Sequence, residues 1–348
     1  TLMCGRFTQI HSWTEIDAFL GLAGPPRNLQ TRYNIAPTST IDVCRAGKMG
    51  RELAPMRWGL APAWWKKSLT ELPATFNARS ESIAEKPMAY ASLAVGAAAG
   101  ESPGSSAGGE QPKFTAYVES AGMAKHVIVK FSEQQNSPNS ARWRDLLLAE
   151  HLALETLRGA NLNAAESFIY DHQGQRFLEV ERFDRVGTLG RKAVISLAAF
   201  DAEFAGLATQ PWPVITKVLE KQGVITPSAV EVSEILWAFG ALIGNTDMHN
   251  GNLSFVSEHG RPYEIAPAYD MTPMAFAPTS SGRLPEVIHS ITLHPCVRNE
   301  NWRRAMQLAT DYFASLQAAD QFNPEFQICI DALAAHLDAV NVQIDRLA

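Results

Sequence analysis

Asn245-Thr246-Asp247-Met248-His249-Asn250-Gly251-Asn252, followed downstream by Ala268-Tyr269-Asp270, is the stretch on which the reading of this chain turns. It sets an aspartate, then an asparagine at D-x-x-x-x-N spacing, then a second aspartate beyond a short hairpin-like stretch. Phosphoryl transfer uses such a trio: one carboxylate receives the hydroxyl proton, and an amide and a second carboxylate oxygen hold Mg²⁺ on the phosphates. A hard cation takes oxygen ligands, and few protein donors leave room for the nucleotide's own oxygens. Taken alone, the run fits a polar loop capping a helix equally well. The rest of the chain decides between them.

Upstream, a helix is expected with Asn139 or Ser140 as its cap and Gly159 as its stop. Trp143, Leu146, Leu147, Leu154 and Leu157 recur at helical spacing along one apolar face. Glu150 falls in the middle of that face, where a carboxylate is costly unless it meets a cation. Lys130 ends the β-branched run His126-Val127-Ile128-Val129-Lys130-Phe131 just before the helix. A strand lysine paired with a helix glutamate is how kinases hold the α- and β-phosphates. Separately, each residue has an ordinary explanation, Lys130 reaching to solvent and Glu150 to an edge. Together with Asp247, Asn252 and Asp270, in the right chain order, they favour phosphoryl transfer.

The composition bounds the alternatives. At 348 residues the chain can bury a sizeable core and form about two domains. A net charge of −6 argues against nonspecific nucleic-acid binding driven by phosphate neutralisation. Cys4, Cys44, Cys296 and Cys329 are scattered without a C-x-x-C pair, against a zinc site or a disulfide scaffold and in keeping with a reducing cytoplasm. Neither a bilayer-spanning run nor the apolar core of a signal peptide is present, so a soluble cytoplasmic protein without a membrane partner is expected.

Three regions differ in texture: 1–87, rich in Pro and Trp with strand-like pieces such as Ile41 to Cys44; 88–185; and the mainly helical 186–348. From about Met88 the chain turns Ala-rich and flexible, and 100–109 reads as a Gly/Ser linker. Strands are expected around Phe114, Ala116 and Val118, at 126–131 and at 176–180; helices at 230–243, 302–317 and 326–347. The glycines from Gly104 to Gly109 feed straight into the first of these strands, where a phosphate-covering loop belongs. The loop lacks the Walker A pattern.

Five segments in order resemble the HipA family of serine/threonine kinases, the toxins of bacterial toxin–antitoxin pairs: 105–114, 127–131, 180–185, 245–252 and 267–270. The resemblance runs from about Met88 to the C-terminus. It implies an α/β (α+β), bilobal, protein-kinase-like fold, with a small β-rich lobe, a mainly helical large lobe and ATP in the cleft between them. It implies ATP and Mg²⁺ as cofactors, with Asp247 as catalytic base and Asn252 and Asp270 as metal ligands. Lys130, oriented by Glu150, would bind the nucleotide phosphates beneath the loop glycines Gly108 and Gly109. Glu181 and Phe183 would form the hinge beside adenine through their backbones, and His249 would contact phosphate. Ser105 matches the loop serine that this family autophosphorylates to switch itself off. Implied partners are an antitoxin and a protein substrate, translation-associated in the family. The family's further β-rich subdomain ahead of the phosphate loop is mostly lacking here.

The N-terminal region has its own signature. Met3-Cys4-Gly5-Arg6-Phe7-Thr8, Tyr33-Asn34-Ile35-Ala36-Pro37-Thr38, the segment 56–62 and Phe76-Asn77-Ala78-Arg79-Ser80-Glu81 resemble the SRAP family, which is SOS-response-associated and shields abasic sites in single-stranded DNA. The resemblance implies a truncated β-rich module in which Cys4 closes a thiazolidine ring on the abasic aldehyde. Arg6, Asn77 and Arg79 would hold phosphate or sugar oxygens. Trp64 and Trp65 fit base stacking or core packing. Thr1 and Leu2 precede Met3, so the Cys4 amine sits in a peptide bond. The likeness stops after Pro87, short of the family's catalytic glutamate and histidine, which points to an impaired fragment joined to the kinase-like part near Pro87-Met88.

Overall fold

The computed structural model describes residues 7–9, 11–23, 25–29, 32–35, 40–47, 50–57, 79–80, 86–98, 111–120, 123–187 and 190–347. Short strands dominate the N-terminal region. β1 (Phe7–Gln9) pairs antiparallel with β2 (Arg32–Ile35), and between them lies α1 (Trp13–Leu20). Ser12 and Glu15 form a capping box at the start of α1, and Gly21 ends it at φ 62°, the left-handed turn that glycine adopts without a Cβ clash. β3 (Thr40–Gly47) and β4 (Gly50–Arg57) form an antiparallel hairpin, with Arg27 reaching across to Asp42 at 2.5 Å.

The next elements build a five-stranded sheet. β5 (Arg79–Ser80) lies at its edge, parallel to β6 (Lys113–Ser120). β7 (Met123–Phe131), β8 (Ser167–His172) and β9 (Gln175–Glu181) complete the order β5-β6-β7-β9-β8. Between β5 and β6 comes α2 (Lys86–Ala98). The Ala-rich stretch from Met88 is therefore helical up to Ala98, contrary to the expectation of a flexible segment. Alanine is the best helix former, and Tyr90 and Ala94, one turn apart, bury one face of α2 against Phe114 and Phe177. Helix α2 also runs through the expected boundary at Pro87-Met88.

Helix α3 (Pro138–Gly159) packs between this sheet and the rest of the chain. It begins two to three residues earlier than expected because Pro138 presets the first helical φ and the Ser137 hydroxyl accepts the Ser140 N–H at 3.1 Å. Leu147 meets Leu178 of the sheet, whereas Leu146, Leu154 and Leu157 join the large core.

Beyond the small ladder of β10 (Arg185–Val186) and β11 (Gly190–Arg191), β12 (Val194–Ser196) leads into α4 (Leu197–Phe200) and a π-helical turn, Asp201–Ala205. Then follow α5 (Trp212–Lys221), the almost wholly apolar α6 (Pro227–Leu242), β13 (Ser254–Val256), β14 (Glu264–Ile265), α7 (Asn299–Ala318) and α8 (Gln327–Ile344). Phe239, Trp302, Tyr312 and Leu333 are buried at their joint core. The result is the expected mixed α/β architecture: a sheet-rich small lobe and a mainly helical large lobe. Among the described residues no helix is long and apolar enough to cross a membrane.

Candidate active site

The sheet register places the first site residues. Lys130, near the end of β7, lies directly opposite Lys113 of β6, so both side chains leave the sheet on one face. On that face α3 presents Glu150, which is 1% exposed. The Lys130 ammonium donates to Glu150 Oε1 at 2.6 Å and Oε2 at 2.7 Å, and to Asp270 Oδ1 at 2.5 Å. Thr272 Oγ1 donates to Glu150 Oε2 at 2.7 Å, giving the buried carboxylate a second partner. Burial disfavours the Lys130 charge, but Asp270 and Glu150 outweigh it and hold the pKa above that of a free lysine. Burial likewise acts to raise the Asp270 pKa, and Lys130, Lys113 and His249 overcome it, holding the carboxyl below the usual carboxylate range. Its contribution to stability is therefore present above the unfolded-state pKa and is lost as pH falls through the lower folded one. At neutral pH Asp270 is an ionised oxygen donor.

The loop before β13 is tied to this cluster by Asn245. Its side-chain amide donates to the Asp270 carbonyl at 3.1 Å, and its Oδ1 accepts the Asp247 N–H at 3.0 Å. Asn252 Nδ2 donates to the Asp247 carbonyl at 2.8 Å, which leaves the carboxamide oxygen as the atom of this side chain that could ligate a cation. Asp247 itself is exposed. Asp270 sits at φ 55°, a left-handed conformation costing a non-glycine residue about 1–2 kcal/mol. The Asn245 bond to its carbonyl helps to hold that conformation, and strain of this kind concentrates at functional sites.

His249 lies in the same loop and is exposed. Its Nδ1 accepts the Gly251 N–H at 3.0 Å, so the neutral ring carries its proton on Nε2. Phe183 stands beside Tyr269, ring centroids 5.8 Å apart. The Glu181 N–H is taken by the Glu166 carbonyl at 2.8 Å, and the Glu181 carboxylate by Lys125 at 2.6 Å. Cys4, Arg6, Asn77, Ser105, Gly108 and Gly109 lie outside the described residues, and of Arg79 only the backbone, in β5, is described.

Two residues acquire roles that the sequence did not disclose. Asn245 was visible only as part of the motif, although an asparagine two residues before an aspartate is an ordinary signal for a side chain accepting a nearby N–H. Lys113 was visible only as the residue before an alternating strand. Burial lowers its pKa, and the charges it feels are those of Asp270, Lys130, Glu150 and Asp247, so it faces the whole cluster.

Residues 105–340 match the family described as HipA-like C-terminal domain, and residues 3–95 match the SOS response associated peptidase family, SRAP. The chain is similar to Toxin YjjJ of Escherichia coli (strain K12), 38% identical over 259 residues that cover 74% of this chain and 58% of that protein. It is also similar to the abasic site processing protein YoaM of Bacillus subtilis (strain 168), 37% identical over 87 residues, 24% of this chain and 38% of that protein. The chain thus spans less than two thirds of the length of either relative. A solved structure of the Helicobacter pylori proinflammatory kinase CtkA overlaps loosely, with a TM-score of 0.46 and 14% identity over 69% of this chain and 91% of that one.

Proposed function

The chain belongs to the HipA-like C-terminal domain family through residues 105–340, and on that premise we propose that it is an ATP-dependent kinase phosphorylating serine or threonine hydroxyls of a protein. The observation that carries the reading is the meeting of Lys130, Glu150 and Asp270, residues up to 140 positions apart, in one hydrogen-bonded cluster. The donors offered to a cation, the Asp270 carboxylate and the Asn252 carboxamide oxygen, are hard oxygens that fit Mg²⁺ bound to nucleotide phosphates. When bound, the cation would neutralise charge on the transferred phosphoryl group.

The chain's own residues do the rest. Lys130, held in place by Glu150, exchanges its Asp270 contact for phosphate oxygens, and Lys113 adds a second positive charge on the same face. Asp247 accepts the proton of the attacking hydroxyl. Ser105 is the proposed site of self-modification: a phosphate there would repel ATP and reorder the loop ahead of Lys113. An antitoxin and a translation-associated substrate are the partners that the family suggests.

Labelled ATP with Mg²⁺ tests the reading: label is expected on Ser105, and a protein that binds no nucleotide ends it. Lys130→Met is expected to weaken nucleotide binding about ten- to hundredfold, the loss of one charge-assisted hydrogen-bond set. Calorimetric titration measures it, and an unchanged Kd removes Lys130 from the phosphate site. The SRAP match over residues 3–95 supports a second activity, crosslinking of abasic single-stranded DNA at Cys4. A chain beginning at Cys4 that forms no denaturation-resistant adduct with such DNA disposes of it.

A further inference from the structure

The segment after α4 departs from regular α-helical geometry. The π-helical turn Asp201–Ala205 closes with Gly206 at φ 66°, whose N–H reaches the Asp201 carbonyl at 2.7 Å. The Asp201 carboxylate, 5% exposed, turns back into the segment. Its Oδ1 accepts the Leu207 N–H at 2.8 Å and its Oδ2 the Ala208 N–H at 2.7 Å. Ala208 is thereby held at φ 43°, a left-handed conformation that an alanine does not take unaided. In that conformation the Ala208 carbonyl accepts the side-chain amide of Asn250 at 2.7 Å.

Asn250 lies between Asp247 and Asn252, so the strained carbonyl grips the middle of the catalytic loop. The other end of the same residue is gripped as well, since the Asn250 carbonyl accepts the Ala198 N–H from α4 at 2.8 Å. Next to it, the His249 carbonyl accepts the indole N–H of Trp212 at 3.3 Å. Residues 198 to 212 thus supply three hydrogen bonds to two consecutive loop residues, and the one that depends on strained backbone is the one Asp201 sustains. A π-turn is a rare element that recurs near functional sites.

We infer that Asp201, acting through Ala208 and Asn250, is a positioning residue that sets the height of the catalytic loop and so the placing of Asp247 and Asn252. The inference rests on the phosphoryl-transfer reading of that loop. Asparagine at 201 offers one acceptor where two N–H groups need satisfying, and its own NH₂ faces one of them. Ala208 then relaxes to negative φ and its carbonyl leaves Asn250.

Four variants of the full chain test this: Asp201→Asn, Asn250→Ala, the two combined, and Asp201→Asn combined with Ala208→Gly. In the first two, kcat is expected to fall about ten- to hundredfold with nucleotide Kd unchanged, as a loop displaced by a fraction of an ångström implies. Combining Asp201→Asn with Asn250→Ala should cost no more than either alone, because both break one chain of contacts. Glycine at 208 adopts positive φ without the carboxylate, so the combined variant should recover most of the rate. Hydrogen exchange supplies a readout independent of activity. The Gly251 and Asn252 amides, bonded to His249 Nδ1 and the His249 carbonyl, should lose protection in Asp201→Asn and regain it with Ala208→Gly. Additive losses, or no recovery with glycine and no change in exchange at 251 and 252, overturn the inference. A wild-type protein without phosphoryl transfer whose loop exchange still follows this pattern removes the kinase reading and leaves the brace standing.

Discussion

Asp247→Asn is expected to lower phosphoryl transfer about 10²–10⁴-fold, the range a positioned general base supplies, while nucleotide affinity stays within a few-fold of the parent. The separation of the two effects follows from how the loop is built. Asp247 is held in place by its backbone, with its N–H on Asn245 and its carbonyl on Asn252. Replacing an exposed side chain away from those bonds costs the fold within about 0.5 kcal/mol. Lys130, Glu150 and Asp270 keep their mutual contacts, so the phosphate and metal side of the site is untouched. Single-turnover label transfer to Ser105 and to an added protein substrate, set beside calorimetric nucleotide binding, distinguishes the cases. Undiminished transfer removes Asp247 as the base. Loss of transfer and of binding together shows instead that the loop has collapsed, and moves the role of Asp247 from chemistry to structure.

How far the site was legible follows from the kind of constraint on each residue. Lys130, Glu150, Asp247, Asn252 and Asp270 stood out as candidates because phosphate and metal chemistry accepts few substitutes and because a carboxylate on an apolar helix face announces a partner, and of these Lys130, Glu150 and Asp270 meet in the structure. The strands β6, β7 and β9 and the helices of the large lobe followed from alternation and helical spacing, whereas β5, β8 and the order of the sheet rest on long-range pairing that local pattern does not carry. Asn245, Lys113 and Asp201 act through geometry instead, and each has a commonplace reading as a turn or surface residue. What selects the functional reading is a contact from a distant segment: Asp270 for Asn245, Lys130 for Lys113, Ala208 for Asp201. Helix α2 was missed for a different reason. Five of its thirteen residues are alanine and few are polar, so the pattern has little contrast, and among its described side chains Lys86, Tyr90 and Ala94 are the buried ones. A carboxylate on another strand gives Lys86 its place, which local periodicity cannot reveal.

That carboxylate is Glu179, and its removal carries the largest expected effect on stability. Glu179 and Lys86 have side chains 5% and 6% exposed and meet at 3.1 Å, with the Tyr90 hydroxyl donating to the same carboxylate. Burial and the neighbouring Glu179 charge raise the Tyr90 pKa far above that of a free phenol, so its proton stays in place as a donor. Glu179→Leu leaves a buried ammonium without a counter-charge, with a hydroxyl orphaned beside it. Breaking a buried pair from one side costs about 3–5 kcal/mol, a large share of the roughly 5–15 kcal/mol that holds a domain together. Lys86→Met combined with Glu179→Leu should recover most of the loss, because apolar packing often replaces such a pair without penalty. Denaturant unfolding measures the difference, and equal stability of the single and combined variants would show that the pair contributes nothing. The effect should also reach the nucleotide. Glu179 lies two positions before Glu181, the hinge residue that the resemblance implies, and pairs in register with Val129, next to Lys130, so Kd should rise in the single variant and recover in the combined one. Lys86 and Tyr90 fall within the SRAP match at 3–95 and outside the HipA-like match at 105–340. A small lobe whose core and buried ion pair come partly from the segment that matches SRAP is not separable at the boundary between the two matches, and a chain cut at residue 105 should lose both the sheet and nucleotide binding.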